Sequence, residues 1–437
     1  MSERRVALVC LTPRPDGGEM DGERLPSYGI RRVLAALVGD PTLAHVGAAI
    51  VDFGREDVDA YVDALLRFEP ELVGFSVYVW SLPCMVAVAR QLKARRPGIC
   101  IVFGGPSARP AMFDLTPYAP AQAYLDAVVT TEGEAVFCEI TRLPTLDRGA
   151  LRSVPGLHLP AAGTWVQTGH RAPTEDLDAI ASPFQLGLMP EGSVAYLETY
   201  RGCPLSCRFC EWGASETARS TFSADYVERE LRAFAALRAH TVFLLDAGLN
   251  LNVRGFRALL EAESRVGFLR QTTFWAEIYP THVKDEHLDF LERVGTSYLG
   301  VGLQSLDPAV LKLHDRPFDR QRFEAALAPL SRVARAELQI IFGLPGDTPA
   351  GFRVTLAYAR SFGLGVRIYH CLVLPDALLT RGRPGWDMRF DTRTMAMQSC
   401  LGWGDDDIQG MRIELTALAQ GLGGKAGDFW WSLPPTR

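Results

Sequence analysis

Short apolar runs alternate with helical patterns along most of this chain, and that alternation restricts its fold more than any other feature. Five such runs precede residue 142: VALVCL (6–11), AAIVDF (48–53), LVGFSVYV (72–79), ICIVFGG (99–105) and LDAVVT (125–130). They are rich in β-branched residues and almost continuously apolar, as parallel strands covered on both faces should be. Helical patterns lie between or after them, at Tyr28–Val38, Val58–Phe68, Pro83–Arg95 and Glu132–Arg142. This strand–helix repetition predicts an α/β fold with a doubly wound, Rossmann-like parallel sheet.

The alternation pauses and then resumes in the second half of the chain. A hairpin pattern with an Ala-Gly turn, GLHLPAAGTWVQTG, is followed by an extended connector. Six further runs then alternate with helices: VAYLETY, TVFLLDA, TTFWAEI, SYLGVGL, ELQIIFG and VRIYH. Six units predict a partial (β/α)6 TIM-type barrel, short of the eight of a full one. The predicted divisions are a sheet domain (1–142), a linker with a hairpin (143–192), a partial barrel (193–371) and a small C-terminal segment (372–437).

Composition excludes several classes of protein. The chain has 437 residues, of which 48% are hydrophobic, and its net charge is -6. These values indicate a globular protein and argue against nucleic acid as the main partner, since phosphate binding needs a basic face. No apolar stretch approaches the roughly 20 residues that cross a bilayer, and MSERRVALVCLTPRP lacks the long apolar core of a secretory signal. We therefore expect a cytoplasmic protein without a membrane anchor.

Cysteine usage points to a metal centre. The nine cysteines are an odd number, and three of them, Cys203, Cys207 and Cys210, fall directly after the first predicted barrel strand. In β/α barrels such loops build the active site. Three thiolates can hold three irons of a cubane cluster and leave the fourth iron open for chemistry. Structural zinc is the alternative, but it needs a fourth nearby ligand, and the next histidine, His240, lies beyond a predicted helix.

The C-x-x-x-C-x-aromatic-C spacing resembles the radical S-adenosylmethionine (radical SAM) superfamily. The resemblance implies a [4Fe–4S] cluster whose open iron binds S-adenosylmethionine (SAM) and whose electron releases a 5′-deoxyadenosyl radical. It continues through the segments LLDAGLN, WAEIYP, GLQSLDPAVLKLHDRPFD and IIFGLPGDT, each at the end of a successive predicted strand. The residues that it implies at the SAM site are Trp212, Asp246, Asn250, Glu277, Gln304, Ser305, Arg316, Phe342, Gly343 and Leu344. Asp246 or Glu277 could instead cap a helix.

The first domain resembles a second known module. No G-x-G-x-x-G follows its first strand, which disfavours a dinucleotide. The segments GFSVYVW, FGGPSARP and TTEGEAVF resemble the cobalamin-binding domain of class B radical SAM methylases. The candidate edge is formed by three loops, Thr12–Met20, Tyr78–Ser81 and Gly104–Pro110. The cobalamin contacts that the resemblance implies are Thr12, Ser76, Tyr78, Trp80, Gly104, Gly105, Pro106 and Glu132.

One departure concerns the lower face of cobalt. The D-x-H-x-x-G motif that supplies a histidine ligand in many cobalamin proteins is absent, and His45 is read as an ordinary surface histidine. We hypothesise base-off cobalamin without a histidine ligand, covered by the loop of Ser76, Tyr78 and Trp80. The alternative is that Tyr78 and Trp80 pack a domain seam.

The resemblance implies a cobalamin-dependent radical C-methyltransferase that acts on an unactivated carbon of a small-molecule, specialised-metabolite substrate. It also implies an external electron donor such as flavodoxin or ferredoxin. A non-methylating cyclisation, ring contraction or rearrangement stays open, whereas methylthio transfer to tRNA is disfavoured because a basic tail is lacking. The catalytic residues are unknown, with Tyr279 and Tyr298 as weak candidates near strand ends.

The remaining cysteines and tryptophans are interpreted first as packing residues. Cys371 ends the last barrel strand and could face the radical, but packing is favoured. Four late tryptophans could line an aromatic pocket or pack the C-terminal segment, and packing is again favoured: Trp386, Trp403, Trp430 and Trp431.

Overall fold

The structure is a computed structural model, and it describes residues 4–12, 24–214 and 220–436. The chain divides into two compact units, Met1–Val194 and Ala195–Arg437. Each unit is an α/β structure built on one extended sheet. The predicted fold class, a doubly wound parallel sheet followed by a partial six-stranded barrel, is confirmed.

Within its described residues, the first unit holds seven strands and six helices. Its strands are β1 (Arg5–Val9), β2 (Gly47–Val51), β3 (Leu72–Ser76), β4 (Cys100–Gly104), β5 (Ala127–Val129), β6 (Leu157–Ala161) and β7 (Thr164–Gln167). Its helices are α1 (Tyr28–Gly39), α2 (Val58–Phe68), α3 (Leu82–Arg95), α4 (Pro110–Phe113), α5 (Gly133–Arg142) and α6 (Arg148–Leu151), with single 3₁₀ turns at Pro41–Leu43, Ala119–Ala123 and Leu177–Ala179.

The strand order of the first sheet places its binding edge. The order is β2-β1-β3-β4-β5-β6-β7, and β1 to β5 run parallel. The direction of winding reverses between β1 and β3, and in open α/β sheets ligands bind beyond the carboxyl ends of the strands at such a switch point. Helices α1 and α5 pack together, as do α2 and α3. The loops that follow β1, β3 and β4 are therefore the binding edge, as the sequence predicts, although residues 13–20 of the first loop lie outside the described residues.

The hairpin predicted from the Ala-Gly turn is present as β6 and β7. It is not separate from the sheet, because β6 pairs antiparallel with β5 through Val128 and His158. The predicted division at residue 142 therefore crosses a hydrogen-bonded sheet.

In the part of the second unit that the structure describes, there are ten strands and seven helices. Its strands are β8 (Ala195–Leu197), β9 (Thr241–Leu244), β10 (Thr273–Ile278), β11 (Thr296–Gln304), β12 (Arg335–Phe342), β13 (Gly365–His370), β14 (Arg389–Phe390), β15 (Met397–Ser399), β16 (Lys425–Ala426) and β17 (Trp430–Leu433). Its helices are α7 (Ala224–Leu237), α8 (Val253–Val266), α9 (Asp285–Arg293), α10 (Pro308–Leu313), α11 (Arg320–Val333), α12 (Pro349–Ser361) and α13 (Asp405–Gly421), with short helical turns at Glu211–Ala214, Leu269–Gln271, Pro280–His282 and Pro375–Leu379.

Strands β8 to β13 lie side by side in chain order and run parallel, which is the arrangement of a partial barrel. All six coincide with the predicted runs. Alternate side chains separate two faces: on β10, Phe274 and Ala276 are buried, whereas Trp275 and Glu277 open onto the inner face. The inner face is therefore the accessible side of this sheet.

The C-terminal segment completes the second sheet, which the sequence analysis did not predict. Strand β17 pairs antiparallel with β13, and β16 pairs with β17. Trp431 of β17 is buried against Phe342 with ring centroids 5.4 Å apart. Arg412 of α13 donates to Nδ1 of His370 at 2.9 Å, while Nε2 of His370 donates to the Met397 carbonyl at 2.8 Å. These contacts hold the segment against the end of the barrel.

Candidate active site

The three clustered cysteines lie on the loop that follows β8. Cys207 is 4% exposed, and Cys203 and Cys210 are half-buried. The N–H of Cys210 donates to the Cys207 carbonyl at 3.1 Å, which closes a turn between these two residues. One short loop at the carboxyl end of the barrel thus presents three sulfur atoms.

Each of the three sulfur atoms has an N–H donor. The backbone N–H of Leu205 donates to Sγ of Cys203 at 3.5 Å, and that of Trp212 bonds Cys210. Nη1 of Arg316 lies 3.9 Å from Sγ of Cys207. Donors of this kind stabilise thiolates and tune iron–sulfur centres.

This donor set fits a cubane cluster. Burial raises the pKa of Cys203 and raises that of Cys210 to about 11, and the Cys207 sulfur adds to both shifts, so the three thiols lie within electrostatic reach of one another. A bound metal centre would supply the positive charge that keeps such thiols ionised. Among the described residues, no three His, Cys, Asp or Glu side chains are placed to hold a single metal ion. A cubane cluster has a different requirement, because it takes each thiolate on a separate iron.

Two of the predicted SAM residues bind backbone groups of this structure. Both carboxylate oxygens of Asp246 accept hydrogen bonds from Thr199, and one also accepts from the N–H of Tyr200 at 3.3 Å. Burial raises the pKa of Asp246 to about 7 despite these donors. The Asn250 amide accepts from the Tyr279 N–H at 2.9 Å and donates to the Tyr279 carbonyl at 2.8 Å. Both side chains thus brace the strand ends around the cluster loop.

Glu277 is the predicted SAM residue that opens most freely onto the inner face. Its carboxylate accepts from Nε2 of Gln339 at 2.8 Å, so β10 and β12 are bridged above β11. The residue between them is Gly300, where a Cβ would overlap both side chains. Desolvation by the surrounding protein raises the pKa of Glu277, although its side chain reaches the open face. The sequence analysis missed Gln339 and Gly300, although the alternation of β12 and the glycine within SYLGVGL were both visible in the sequence.

The end of β11 brings the next predicted residues together. Gln304 adopts a left-handed backbone with φ of 68° at an irregularity in the pairing with β12, and its Oε1 atom is buried without a partner among the described residues. Ser305 is fully buried, and its Oγ accepts from the Asp307 N–H at 3.2 Å. Arg316 lies 4.6 Å from the centre of the Tyr279 ring and donates to the Gly302 carbonyl at 2.9 Å. Arg316 is thus a predicted SAM residue whose side chain contacts a cluster cysteine.

The last predicted SAM segment presents backbone rather than side chains. Phe342 and Leu344 are fully buried, and Phe342 stacks on His370 with centroids 4.5 Å apart. Gly343 between them has a positive φ of 80°. Any contact of this segment with adenine would therefore be made by the backbone. Trp212, by contrast, is 48% exposed beside the cluster loop.

The two tyrosines proposed as weak catalytic candidates both bond protein groups through their hydroxyls. The Tyr279 hydroxyl donates to the Pro317 carbonyl. The Tyr298 hydroxyl accepts from Arg335 at 2.6 Å, and its ring stacks on Trp275 with centroids 4.1 Å apart. Neither hydroxyl is held toward the cysteine loop by these contacts, so a catalytic role for them stays a prediction.

The packing roles of the other cysteines and of most late tryptophans are confirmed. The remaining cysteines are all buried, including Cys371 at 3% exposed. Three of the four tryptophans are buried, whereas Trp430 is half-buried on the inner face beneath the Arg367 guanidinium.

In the first unit, the predicted cobalamin residues gather at the switch-point edge. Tyr78 and Trp80 follow β3 and stack with centroids 4.6 Å apart, and Trp80 is 51% exposed. Ser76 ends β3 beside Gly104 of β4, and Gly105 has a positive φ of 97°, where a Cβ would lie 2.8 Å from the Val77 carbonyl. The glycine therefore lets the two loops approach closely.

The remaining residues of this set flank the same edge. The Thr12 hydroxyl donates to Asp52 at 2.6 Å. Pro106 follows Gly105, and the Glu132 carboxylate accepts from the Thr174 N–H at 2.9 Å at the start of α5. His45 is exposed just before β2, at the opposite end of the strands. An exposed aromatic platform beside a glycine-lined strand end fits a flat corrin.

Comparison with known proteins agrees with both halves of this geometry. Residues 197–359 match the family model of the radical SAM superfamily, and residues 23–141 match that of the B12 binding domain. The 2-(S-pantetheinyl)-carbapenam-3-carboxylate methyltransferase of Streptantibioticus cattleyicolor is 30% identical over an alignment of 341 residues that covers 71% of this chain and 48% of that protein. The chain combines a radical SAM domain with a B12 binding domain. Its cofactors are a [4Fe–4S] cluster, SAM and cobalamin.

Two further proteins are similar to this chain. The cobalamin-dependent radical SAM methyltransferase TokK of Streptomyces tokunonensis is 29% identical over 71% of this chain and 48% of that protein. The chain thus spans about half the length of the curated relatives it matches. The radical SAM methyltransferase TsrM of Kitasatospora setae, solved with cobalamin and a [4Fe–4S] cluster, shares the fold with a TM-score of 0.67 at 16% identity, covering 90% of this chain and 84% of that one. No helix that the structure describes has both the length and the apolarity to cross a membrane.

Proposed function

We propose that the chain is a cobalamin-dependent radical SAM C-methyltransferase that modifies an unactivated carbon of a small specialised metabolite. The observation that carries the proposal is the three-cysteine loop at the carboxyl end of β8, with an N–H donor for each sulfur, in a chain that also has a B12-binding domain. The relatives that it matches over 71% of its length are named as methyltransferases, one of them for a carbapenam carboxylate.

When bound, the cluster supplies one electron for the cleavage of SAM, and cobalamin supplies a metal centre that exchanges methyl groups. Cys203, Cys207 and Cys210 would hold the cluster, and Arg316 stabilises the Cys207 thiolate. Glu277, positioned by Gln339, would accept hydrogen bonds from the SAM ribose.

In the first unit, Tyr78 and Trp80 would cover the lower face of the corrin and exclude water from it. An external one-electron donor of the flavodoxin or ferredoxin type would serve the cluster. The half-buried aromatic and polar side chains of the inner barrel face support binding of a small substrate there.

The test is anaerobic reconstitution of the full chain with iron, sulfide and cobalamin, followed by incubation with SAM and a panel of candidate acceptors. The proposal expects 5′-deoxyadenosine, S-adenosylhomocysteine and an acceptor heavier by one methylene unit. An acceptor converted without a gain in mass, with 5′-deoxyadenosine and methionine as the only SAM products, would contradict methyl transfer.

A further inference from the structure

Arg381 of the C-terminal segment clamps the cysteine loop. It lies just beyond the helical turn Pro375–Leu379 and is half-buried. Nη2 of Arg381 donates to the carbonyl of Cys207 at 3.1 Å and also to the carbonyl of Cys210. Nη1 donates to the Ser206 carbonyl at 3.3 Å. One guanidinium thus binds the backbone of two of the three cysteines.

The clamp is reciprocal. Arg208, which lies on the loop itself, donates from Nη1 to the backbone carbonyl of Arg381 at 2.9 Å. The Arg208 guanidinium also pairs with Asp315 at 2.7 Å, and the backbone N–H of Arg208 donates to the His314 carbonyl at 3.0 Å. The loop and the C-terminal segment therefore hold each other through two arginines.

The Arg381 guanidinium bonds backbone carbonyls rather than carboxylates. Its Nε donates to the Asp376 carbonyl at 2.8 Å, so the guanidinium bonds carbonyl oxygens through all three nitrogens. Among the residues that the structure describes, no carboxylate forms an ion pair with it. Arg383, two residues on, contrasts with it, since that exposed side chain lies 3.7 Å from Asp315. A fixed positive charge therefore stands directly against the cysteine loop.

We infer that Arg381 is a positioning residue that sets the reduction potential of the cluster and the spacing of Cys207 and Cys210. The inference rests on the proposed assignment of the cluster to these cysteines. A nearby positive charge favours the reduced cluster because that cluster carries one more electron, and the half-buried position of the loop limits screening of the charge by water. The planar fork of arginine binds two carbonyls at once, whereas lysine supplies a charge without that geometry.

The experiment compares the wild type with Arg381→Met, Arg381→Lys and the matched control Arg383→Met, all full-length and reconstituted with iron and sulfide. Iron and sulfide content, the EPR spectrum of the reduced cluster and its midpoint potential are measured. In R381M we expect the ratio of reduced to oxidised cluster at a fixed solution potential to fall about tenfold, which corresponds to 59 mV for one electron. R381K should keep most of the potential but change the EPR line shape, and R383M should match the wild type.

The possible outcomes are distinguishable. If R381M holds no cluster while R381K holds one, the clamp is supported, because charge at this position is then required for assembly. If R381M equals the wild type in iron content, EPR spectrum and potential, the inference is overturned while the proposed function stands. If the wild type itself binds no iron, the cysteine assignment and the inference fail together.

Discussion

Gly300 lets the side chains of Glu277 and Gln339 meet above β11. A Cβ there would overlap both side chains, so even alanine would displace the carboxylate proposed to bind the SAM ribose. At Asp246, burial raises the pKa of the carboxyl group, whereas three hydrogen bonds favour its charged form. Gly300 thus controls the position of side chains on the inner face, and Asp246 holds the backbone of the segment before the cysteines.

Gly300→Ala should weaken SAM binding about tenfold and lower the free energy of unfolding by about 1–3 kcal/mol, the usual cost of overpacking. Equilibrium binding of SAM to the reconstituted protein and urea unfolding measure these effects. The matched control is Gly410→Ala in α13, where a Cβ meets no atom within 4 Å. Wild-type SAM affinity in G300A would contradict the proposed role of Glu277.

Asp246→Asn should remove one pH dependence of stability. The folded pKa of about 7 exceeds the ordinary value of 3.8, so the folded state binds the proton more tightly than the unfolded chain. The stabilisation from this proton is full below pH 4 and is lost as the pH rises through 7, by up to about 4 kcal/mol. The difference in unfolding free energy between wild type and D246N should therefore change across this range. A difference that stays constant from pH 4 to 8 would contradict the prediction.

Among the secondary-structure elements, the cofactor sites depend on two loops at strand ends, one after β8 and one after β3. The loop after β8 was predictable because its cysteines are local in sequence. Its clamp was not, because Arg381 meets Cys207 and Cys210 from more than 170 positions away. Strand β17 escaped prediction for a related reason, since Trp431 lies in a short run whose strand partner, β13, is distant in sequence. The parallel strands, in contrast, could be predicted because each is a continuous apolar run in the local sequence.

The loop after β3 should decide corrin binding. Trp80→Ala combined with Tyr78→Ala should lower the affinity for cobalamin at least about tenfold, because an exposed aromatic platform is lost. Retained corrin is measured by its visible absorbance after gel filtration, and the wild-type spectrum should be that of the base-off form. Trp165→Ala in the hairpin of the same unit is the matched control. Equal corrin retention in the double variant and the wild type would rule out this platform.

At the scale of the whole molecule, two buried histidines of the second unit tie its stability to acidity. Burial is the main reason that the pKa values of His314 and His370 are lowered to about 4. Both are held by backbone carbonyls, and His370 also accepts from Arg412. Each side chain must therefore stay neutral for the C-terminal segment to remain packed.

Protonation of these two histidines should reduce stability between pH 6.5 and 4, a range in which Asp246 contributes the opposite dependence. The unfolded chain binds protons at the ordinary histidine pKa of 6.5, above the folded value, so stability is full above pH 6.5 and falls as the pH drops toward 4. The loss is on the order of 3 kcal/mol per histidine. His370→Gln keeps a donor for the Met397 carbonyl and should remove about half of this dependence in urea unfolding. If the unfolding free energy of H370Q changed with pH as steeply as that of the wild type, this prediction would be contradicted.

We propose that Cys203, Cys207 and Cys210 hold a cluster with one open iron. The most direct measurement is iron and sulfide analysis with EPR of the anaerobically reconstituted chain, before and after SAM is added. We predict about four irons and four sulfides per chain, an EPR spectrum that SAM alters, and no cluster when all three cysteines are replaced by alanine. Cys84→Ala, at a buried helix position, should behave as the wild type. A triple variant that kept its iron, or a wild-type spectrum indifferent to SAM, would contradict the account.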